Sequence, residues 1–272
     1  MTRLILSLGT ALLLTAGTVW AGPLEDATAA NKRGDYATAL KTFQSLAAQG
    51  NAEAQYNLGQ MYAQGQGVPQ DYAQAAQWYQ KAAAQGNAEA QTNLGMLYVE
   101  GRGVPQDYGK AREWFEQAAA QGHAGVQDLL GRLYADGQGV PQDYEKARQW
   151  FEQAAAQGDA GAQYSLGRLY ADGQGVPQDY EKARQWYEQA AAQGYAEAQY
   201  NLGVLYFRGQ DVPTDYVRAY MWLNLAAAHL TGDEQKSAAN NRDKAASLLT
   251  PAQVAEAQQL ARQCQARQFK GC

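Results

Sequence analysis

The 272-residue chain reads as all-α, an α-solenoid of stacked antiparallel helix pairs. Three observations predict this. An Ala-Ala-Gln-Gly ending, preceded by alanine or leucine, returns at Gly50, Gly86, Gly122, Gly158 and Gly194, each step being 36 residues with no insertion or deletion. Self-similarity at such a period marks an array whose units bury their apolar faces against neighbours, with no need of one central core. Alanine and glutamine abound, β-branched residues are scarce and long strand-like runs are absent, which favours helix throughout. Apolar residues within each unit also recur at helical spacing. Such an array offers an extended binding surface in place of a compact domain with a catalytic pocket.

The chain opens on a targeting pattern. Met1 to Arg3 is short and weakly basic, Leu4 to Val19 is apolar, and Val19-Trp20-Ala21 ends small-x-small before Gly22. This is the layout of a secretory signal peptide cleaved after Ala21. The alternative is an uncleaved anchor, but about 16 apolar residues fall short of the ~20 that a spanning helix needs. No cysteine follows the cleavage point, which argues against a lipoprotein anchor. The expectation is a periplasmic or secreted protein with no integral span in the mature chain. Its divisions are 1–21 signal peptide, 22–50 N-terminal partial repeat, 51–230 five repeats and 231–272 C-terminal capping helices.

The unit from Asn51 to Gly86 shows the local logic. Ala54, Leu58, Met61 and Tyr62 fall on one face of a first helix. Gly65-Gln66-Gly67-Val68-Pro69 breaks it: Gly65 suits a left-handed C-terminal cap, Gly67 a second positive φ, and Pro69 blocks continuation. Asp71 is the N-cap of a second helix, whose buried stripe is Tyr72, Ala75, Ala76, Tyr79, Ala82 and Ala83. Gly59 sits inside the first helix, where glycine costs up to about 1 kcal/mol relative to alanine. Its return as Gly95, Gly131, Gly167 and Gly203 implies that a neighbouring helix backbone passes too close for a Cβ.

The string Ala-Glu-Ala-Gln-Tyr-Asn-Leu-Gly-Gln-Met-Tyr-Ala-Gln-Gly-Gln-Gly-Val-Pro-Gln-Asp-Tyr, followed by Trp78-Tyr79 and Ala82-Ala83, closely resembles the Sel-like repeat (SLR), a relative of the tetratricopeptide repeat. The match runs from about Asp35 to Leu230. The resemblance implies a right-handed superhelix and a role in assembling protein complexes, and it implies no activity. Envelope-side relatives act in regulatory or assembly complexes. Two other roles remain open at this level: a cysteine-poor relative of SLR penicillin-binding hydrolases, and a secreted host-interaction factor. The hydrolases carry a disulfide in each repeat, and this chain has no cysteine within its repeats. Departures from the pattern also carry information. Asp211 replaces the second loop glycine, Leu230 replaces the terminal glycine, and Thr250-Pro251-Ala252-Gln253 is a capping box that opens a final helix to about Gln265.

The five units differ mainly at positions 53, 56, 57, 60, 63 and 64 and their counterparts, nearly opposite the packing stripe at 100° per residue. In tetratricopeptide-like arrays that face lines a concave groove. The resemblance carries the groove onto Tyr56, Asn57, Gln60, Asn93, Met96, Val99, Asp128, Arg132, Tyr164, Arg168, Tyr200, Asn201, Val204 and Phe207. Tyrosine and arginine are frequent interface anchors, so the expected partner is a protein or peptide, possible member of an envelope complex.

Other chemistries find no support in the residues. The net charge of -5 and pI near 5.1 lack the basic stripe of a nucleic-acid surface. His123 and His229 stand far apart in no metal-ligand spacing. The Gly-x-Gly turns follow helices and lack Gly-Lys-Ser/Thr, so they are turns and not phosphate cradles. Trp78, Trp114, Trp150, Trp186 and Trp222 recur once per unit, as packing residues do. Asp136 and Asp172 repeat with the array and form no unique acid–base pair. No catalytic residue, metal or cofactor is expected. Cys264 and Cys272 permit one disulfide in an exported chain; the competing reading keeps Cys264 as a buried thiol on the last helix.

Overall fold

The computed structural model describes residues 22–210 and 213–272, and within them fourteen helices and no strand. The signal-peptide reading of 1–21 and the turn at Asp211 lie outside the described residues. The N-terminal pair is α1 (Pro23–Lys32) and α2 (Tyr36–Ala48). Five pairs follow: α3 (Ala52–Gln64) with α4 (Tyr72–Ala83), α5 (Ala88–Glu100) with α6 (Tyr108–Ala119), α7 (Ala124–Asp136) with α8 (Tyr144–Ala156), α9 (Ala160–Asp172) with α10 (Tyr180–Ala191), and α11 (Ala196–Arg208) with α12 (Tyr216–His229). Two helices, α13 (Gly232–Ser247) and α14 (Pro251–Ala266), close the chain. Through the repeats each helix packs on the one before it and the one after it, which is the solenoid arrangement. The stretch 22–50 is a complete helix pair with a short first member of 10 residues.

Local signals account for the boundaries. Asp71, Asp107, Asp143, Asp179 and Asp215 cap the second helices, each carboxylate accepting from a backbone N–H in the first turn. The same aspartates donate their own N–H to the carbonyls of Tyr62, Tyr98, Tyr134, Tyr170 and Tyr206 at 2.9–3.0 Å, which ties the loop back onto the first helix. Gly65 ends α3 at φ 69°, a left-handed conformation that side chains with a Cβ disfavour.

The core lies between successive units. Ala75, Ala76, Tyr79, Ala82 and Ala83 of α4 are buried with Ala90, Leu94 and Leu97 of α5, and Phe115 of α6 is buried with Leu130 of α7. Half-buried Trp78, Trp114, Trp150 and Trp186 each pack over the cluster of the preceding interface. The recurring tryptophan is thus inter-unit packing. Tyr62 and Tyr72, expected on the buried stripes, are half-buried at the edge of the stack; the Tyr72 hydroxyl accepts from Gln70 at 3.0 Å.

The helical glycines have a different cause from the one expected. A Cβ on Gly59 would lie 2.6 Å from Cδ1 of Tyr79, and one on Gly95 would lie 2.7 Å from Cδ1 of Phe115. The space is filled by an aromatic ring of the paired helix and not by its backbone. Only at Gly203, opposite Leu223, does a backbone nitrogen come near, at 3.1 Å.

A glutamine ladder links the units. Buried Gln55 donates to the Ala47 carbonyl at 3.1 Å and accepts from Gln85 at 2.8 Å. Gln91 does the same with Ala83 and Gln121, each at 3.1 Å. Gln157 donates to Gln127 at 2.8 Å and Gln193 to Gln163 at 2.9 Å. The glutamine of the Ala-Ala-Gln-Gly signature is therefore the donor of each rung. At the fifth rung His229 stands at the donor position, and the buried Oε1 of Gln199 has no partner.

The tail departs from regular pairing. Both α13 and α14 pack on α12, and α14 does not pair with α13. Accordingly α12 is buried on several sides, through Ala219, Trp222, Leu223 and Leu225 among others. The capping box at Thr250 and Gln253 is formed in both directions. Cys264, buried on α14, is joined to Cys272, and the ring of Phe269 lies over Gly194 and edge-on to His229.

Candidate functional site

The first helices α3, α5, α7, α9 and α11 turn one face to the cores and leave the other lining clefts. A cleft of about 470 Å³ is bounded by Tyr56 of α3, Glu89 and Asn93 of α5, and His123, Gly125 and Leu129 at α7. Further along, clefts of about 240, 340 and 200 Å³ adjoin one another and share Tyr164. Arg132 and Arg168 flank the first, Arg168, Asn201 and Val204 line the second, and Tyr200, Asn201 and Glu197 line the third.

The structure therefore brings Tyr56 and Asn93 together, and separately gathers Arg132, Tyr164, Arg168, Tyr200, Asn201 and Val204. Other expected lining residues take different places. Asn57 is 8% exposed and turns its amide back to the Glu53 carbonyl at 2.9 Å, so it lies beneath the surface. Asp128 is also buried and forms an ion pair with Arg132 at 2.8 Å. Gln60 donates to the Tyr56 hydroxyl at 2.5 Å and so positions that ring. Met96 and Val99 are half-buried against the α6–α7 core. Phe207 meets Tyr216 edge-on with ring centroids 5.6 Å apart. None of these six lines the clefts described, and of them Gln60 and Asp128 touch a lining residue, Tyr56 and Arg132 respectively.

The clefts are rich in hydrogen-bonding aromatic groups. Tyr164 lies 5.9 Å from Tyr187 and 5.2 Å from Tyr195, centroid to centroid. Burial raises the Tyr164 phenol above its ordinary value, Arg168 opposing and Tyr195 and Glu197 adding. Burial likewise raises Tyr56 and Tyr195. These phenols stay protonated at physiological pH and act as donors as well as acceptors. Asp128 is raised too: burial outweighs the opposing Arg132, even at ion-pair distance. The third cleft is closed by α13, where Asn241 donates to the Tyr200 hydroxyl at 3.1 Å and Leu230 and Glu234 form the wall.

Cleft-lining Ser165 and Glu197 escaped the sequence reading, as did Tyr195, whose ring packs on that of Tyr164. Tyr195 carried a usable signal. It occupies the N-cap position filled by Asn51, Asn87 and Asp159 in other units, and it makes no capping bond there. A residue that gives up a cap is free for another contact. Among the described residues no group of His, Cys, Asp and Glu is placed to hold a metal ion, and no helix is long and apolar enough to cross a membrane.

The Sel1 repeat family matches residues 52–87, 88–123, 126–159, 160–195 and 196–229. A Sel1 repeat protein from Oxalobacter formigenes is 34% identical over 80% of this chain and 85% of its own length, with a TM-score of 0.73. A protective antigen of uropathogenic Escherichia coli strains displaying an SLR fold is also 34% identical, with a TM-score of 0.76. The alignment covers 89% of this chain but 53% of that one, so this chain spans about half its length. No curated protein was found to match. With five matched repeats and a relative of this identity and coverage, the chain belongs to the Sel1 repeat family.

Proposed function

We propose that this protein is an exported, non-catalytic scaffold that holds a protein or peptide partner along the face of its first helices, within a cell-envelope regulatory or assembly complex. One observation carries the reading. The units 123–158 and 159–194 are identical except at five positions: His123/Asp159, Val126/Ala162, Asp128/Tyr164, Leu129/Ser165 and Phe151/Tyr187. At each of them at least one member lines a cleft on the first-helix side: His123, Val126, Tyr164, Leu129 with Ser165, and Phe151 with Tyr187. Every difference thus touches a cleft wall, two of them, Val126/Ala162 and Phe151/Tyr187, at positions that also pack in the cores, and walls that change from unit to unit suit a surface that distinguishes ligands along its length. Export rests on the pattern ending at Ala21, and a scaffold role on the Sel1 repeat architecture.

The experiment is crosslinking and pull-down from the native envelope, with wild-type protein and with Arg132→Gln, Arg168→Gln and Tyr200→Ala combined. The triple variant should lose the captured partner while its far-UV helical signal stays intact. Undiminished capture by a folded triple variant refutes the groove. Sequencing of the mature N-terminus checks export, with Gly22 as the expected first residue.

A further inference from the structure

The two near-identical units treat the same arginine differently. In the first, the Arg132 guanidinium is neutralised by Asp128 one helical turn earlier, at 2.8 Å. In the second, Tyr164 takes the place of that aspartate, and among the described residues no carboxylate lies within ion-pair distance of Arg168. At the equivalent position the other units carry Gln60, Met96 and Val204, so Arg168 is the one cation of this row without a carboxylate of its own. It stands where two clefts meet, since both the 240 and the 340 Å³ spaces are bounded by Tyr164 and Arg168.

We infer that Arg168 receives the carboxylate of a single Asp or Glu side chain inside an extended partner segment, whose uncharged neighbours enter the clefts on either side. This deepens the groove reading and rests on it. A planar guanidinium offers paired donors that match a carboxylate. The partner's acid thus takes the role that Asp128 plays for Arg132. Clefts on both sides of Arg168 require the chain to continue past the acid, which selects an internal residue over a chain terminus. Their walls are mixed and more polar than apolar: Gln142, Tyr144 and Gln174 stand beside Ala135 and Leu169 on one side, Tyr180, Asn201 and Gln210 beside Ala171 and Val204 on the other. The chain as a whole carries a charge of -5, and Asp136 and Asp172 line the two clefts, so further acids are repelled and one isolated acid among uncharged residues is the fitting pattern.

The test is selection of linear peptides from a random display library against the full mature chain, followed by titration of synthetic copies. The expected consensus is one Asp or Glu flanked by uncharged residues. Binding should weaken on the order of tenfold or more in Arg168→Gln, as for loss of a charged hydrogen bond. Changing the peptide acid to its amide should cost about as much, and the two changes together little more than either. Tyr164→Asp copies the neighbouring unit's own solution and should weaken binding as well. Arg168 is exposed, so thermal melts of the glutamine variant should match the parent. Peptides that lose binding in Tyr200→Ala but not in Arg168→Gln overturn this inference and leave the groove standing. Dependence on a free terminal carboxylate overturns the internal assignment. Peptides indifferent to every cleft substitution, or no enriched peptide, overturn both readings.

Discussion

Replacing Gln121 with alanine removes one rung of the glutamine ladder and shows what holds adjacent units in register. The Gln121 amide nitrogen donates to the Gly86 carbonyl and to Gln91 Oε1, both at 3.1 Å. Gly86 is exposed, so water replaces the first bond at little cost. Gln91 is only 3% exposed, and its oxygen loses its partner in a place that water reaches poorly. A lost neutral hydrogen bond costs about 1 kcal/mol and a stranded buried acceptor about 1–3 kcal/mol. The variant should therefore be less stable by roughly 1–2 kcal/mol, the lower end applying if truncation admits water. Urea unfolding followed by circular dichroism measures the change. Gln117→Ala is the control: that side chain is exposed and bonds only to Glu113 of its own helix, at 3.3 Å. A Gln91→Leu, Gln121→Ala double variant should lose less than the sum of the single changes, because no acceptor is then stranded. If Gln121→Ala matches Gln117→Ala within error, the ladder contributes nothing and the argument fails.

Other consequences follow from the same packing. Gly95→Ala should destabilise by about 1–3 kcal/mol through overlap with the Phe115 ring, although alanine is the better helix former. Gly125→Ala, with nothing within 4 Å of the added Cβ, should be neutral or stabilise by up to about 1 kcal/mol; equal signs in thermal melts would refute the explanation of the helical glycines. Asp128 has a folded carboxyl raised above the ordinary 3.8, so its contribution to stability is full below that value and declines as pH rises through the folded one. Asp128→Asn should therefore gain on the parent as pH rises from acid to neutral, and a gain confined to acid pH contradicts the reasoning. The Cys264–Cys272 bridge closes a short loop and should contribute roughly 2–3 kcal/mol in the chain-entropy account. Two alkylatable thiols in the unreduced protein would show that it does not form.

Turns and caps were legible from sequence because their causes are local. Gly65, Pro69 and Asp71 act within a few residues of themselves, and the helices begin and end where those residues dictate. The ladder was not legible, because glutamine is ordinarily a surface residue and its burial at Gln55 depends on an acceptor eight residues back and a donor thirty residues ahead. Gly59 announced a close approach, but the sequence could not say whether a ring or a backbone made it. The same limit applies to the candidate site. Helical spacing placed Asn57 and Asp128 on the outward side, yet both are buried. Whether a side chain at that angle lines a cleft or folds back is decided by short-range partners, Glu53 for the first and Arg132 for the second. The irregular tail was legible only as an ending, since the place of α14 on α12 depends on the apolar surface of α12 as a whole.

Separation of duties between the two helix faces gives the repeats their latitude. Alanine-rich cores between units and the glutamine rungs lie on the side turned to the stack, and so do the rings seated on glycines, of which Phe151 and Tyr187 also border a cleft. Little stability is asked of the other side, so Tyr164 can stand where a sister unit has Asp128 without disturbing a helix boundary: α7 and α9 each span thirteen residues. Asp128 shows the limit of that freedom. Its carboxylate on the cleft side is buried and pairs with Arg132, and one of its oxygens is left buried without a partner. Its neighbour Arg132 is thereby quenched, whereas Arg168 is not. One of the five differences between two otherwise matching units, Asp128/Tyr164, thus converts a self-satisfied ion pair into an open cation between two clefts, and the position of that difference sets the register in which an extended partner would lie.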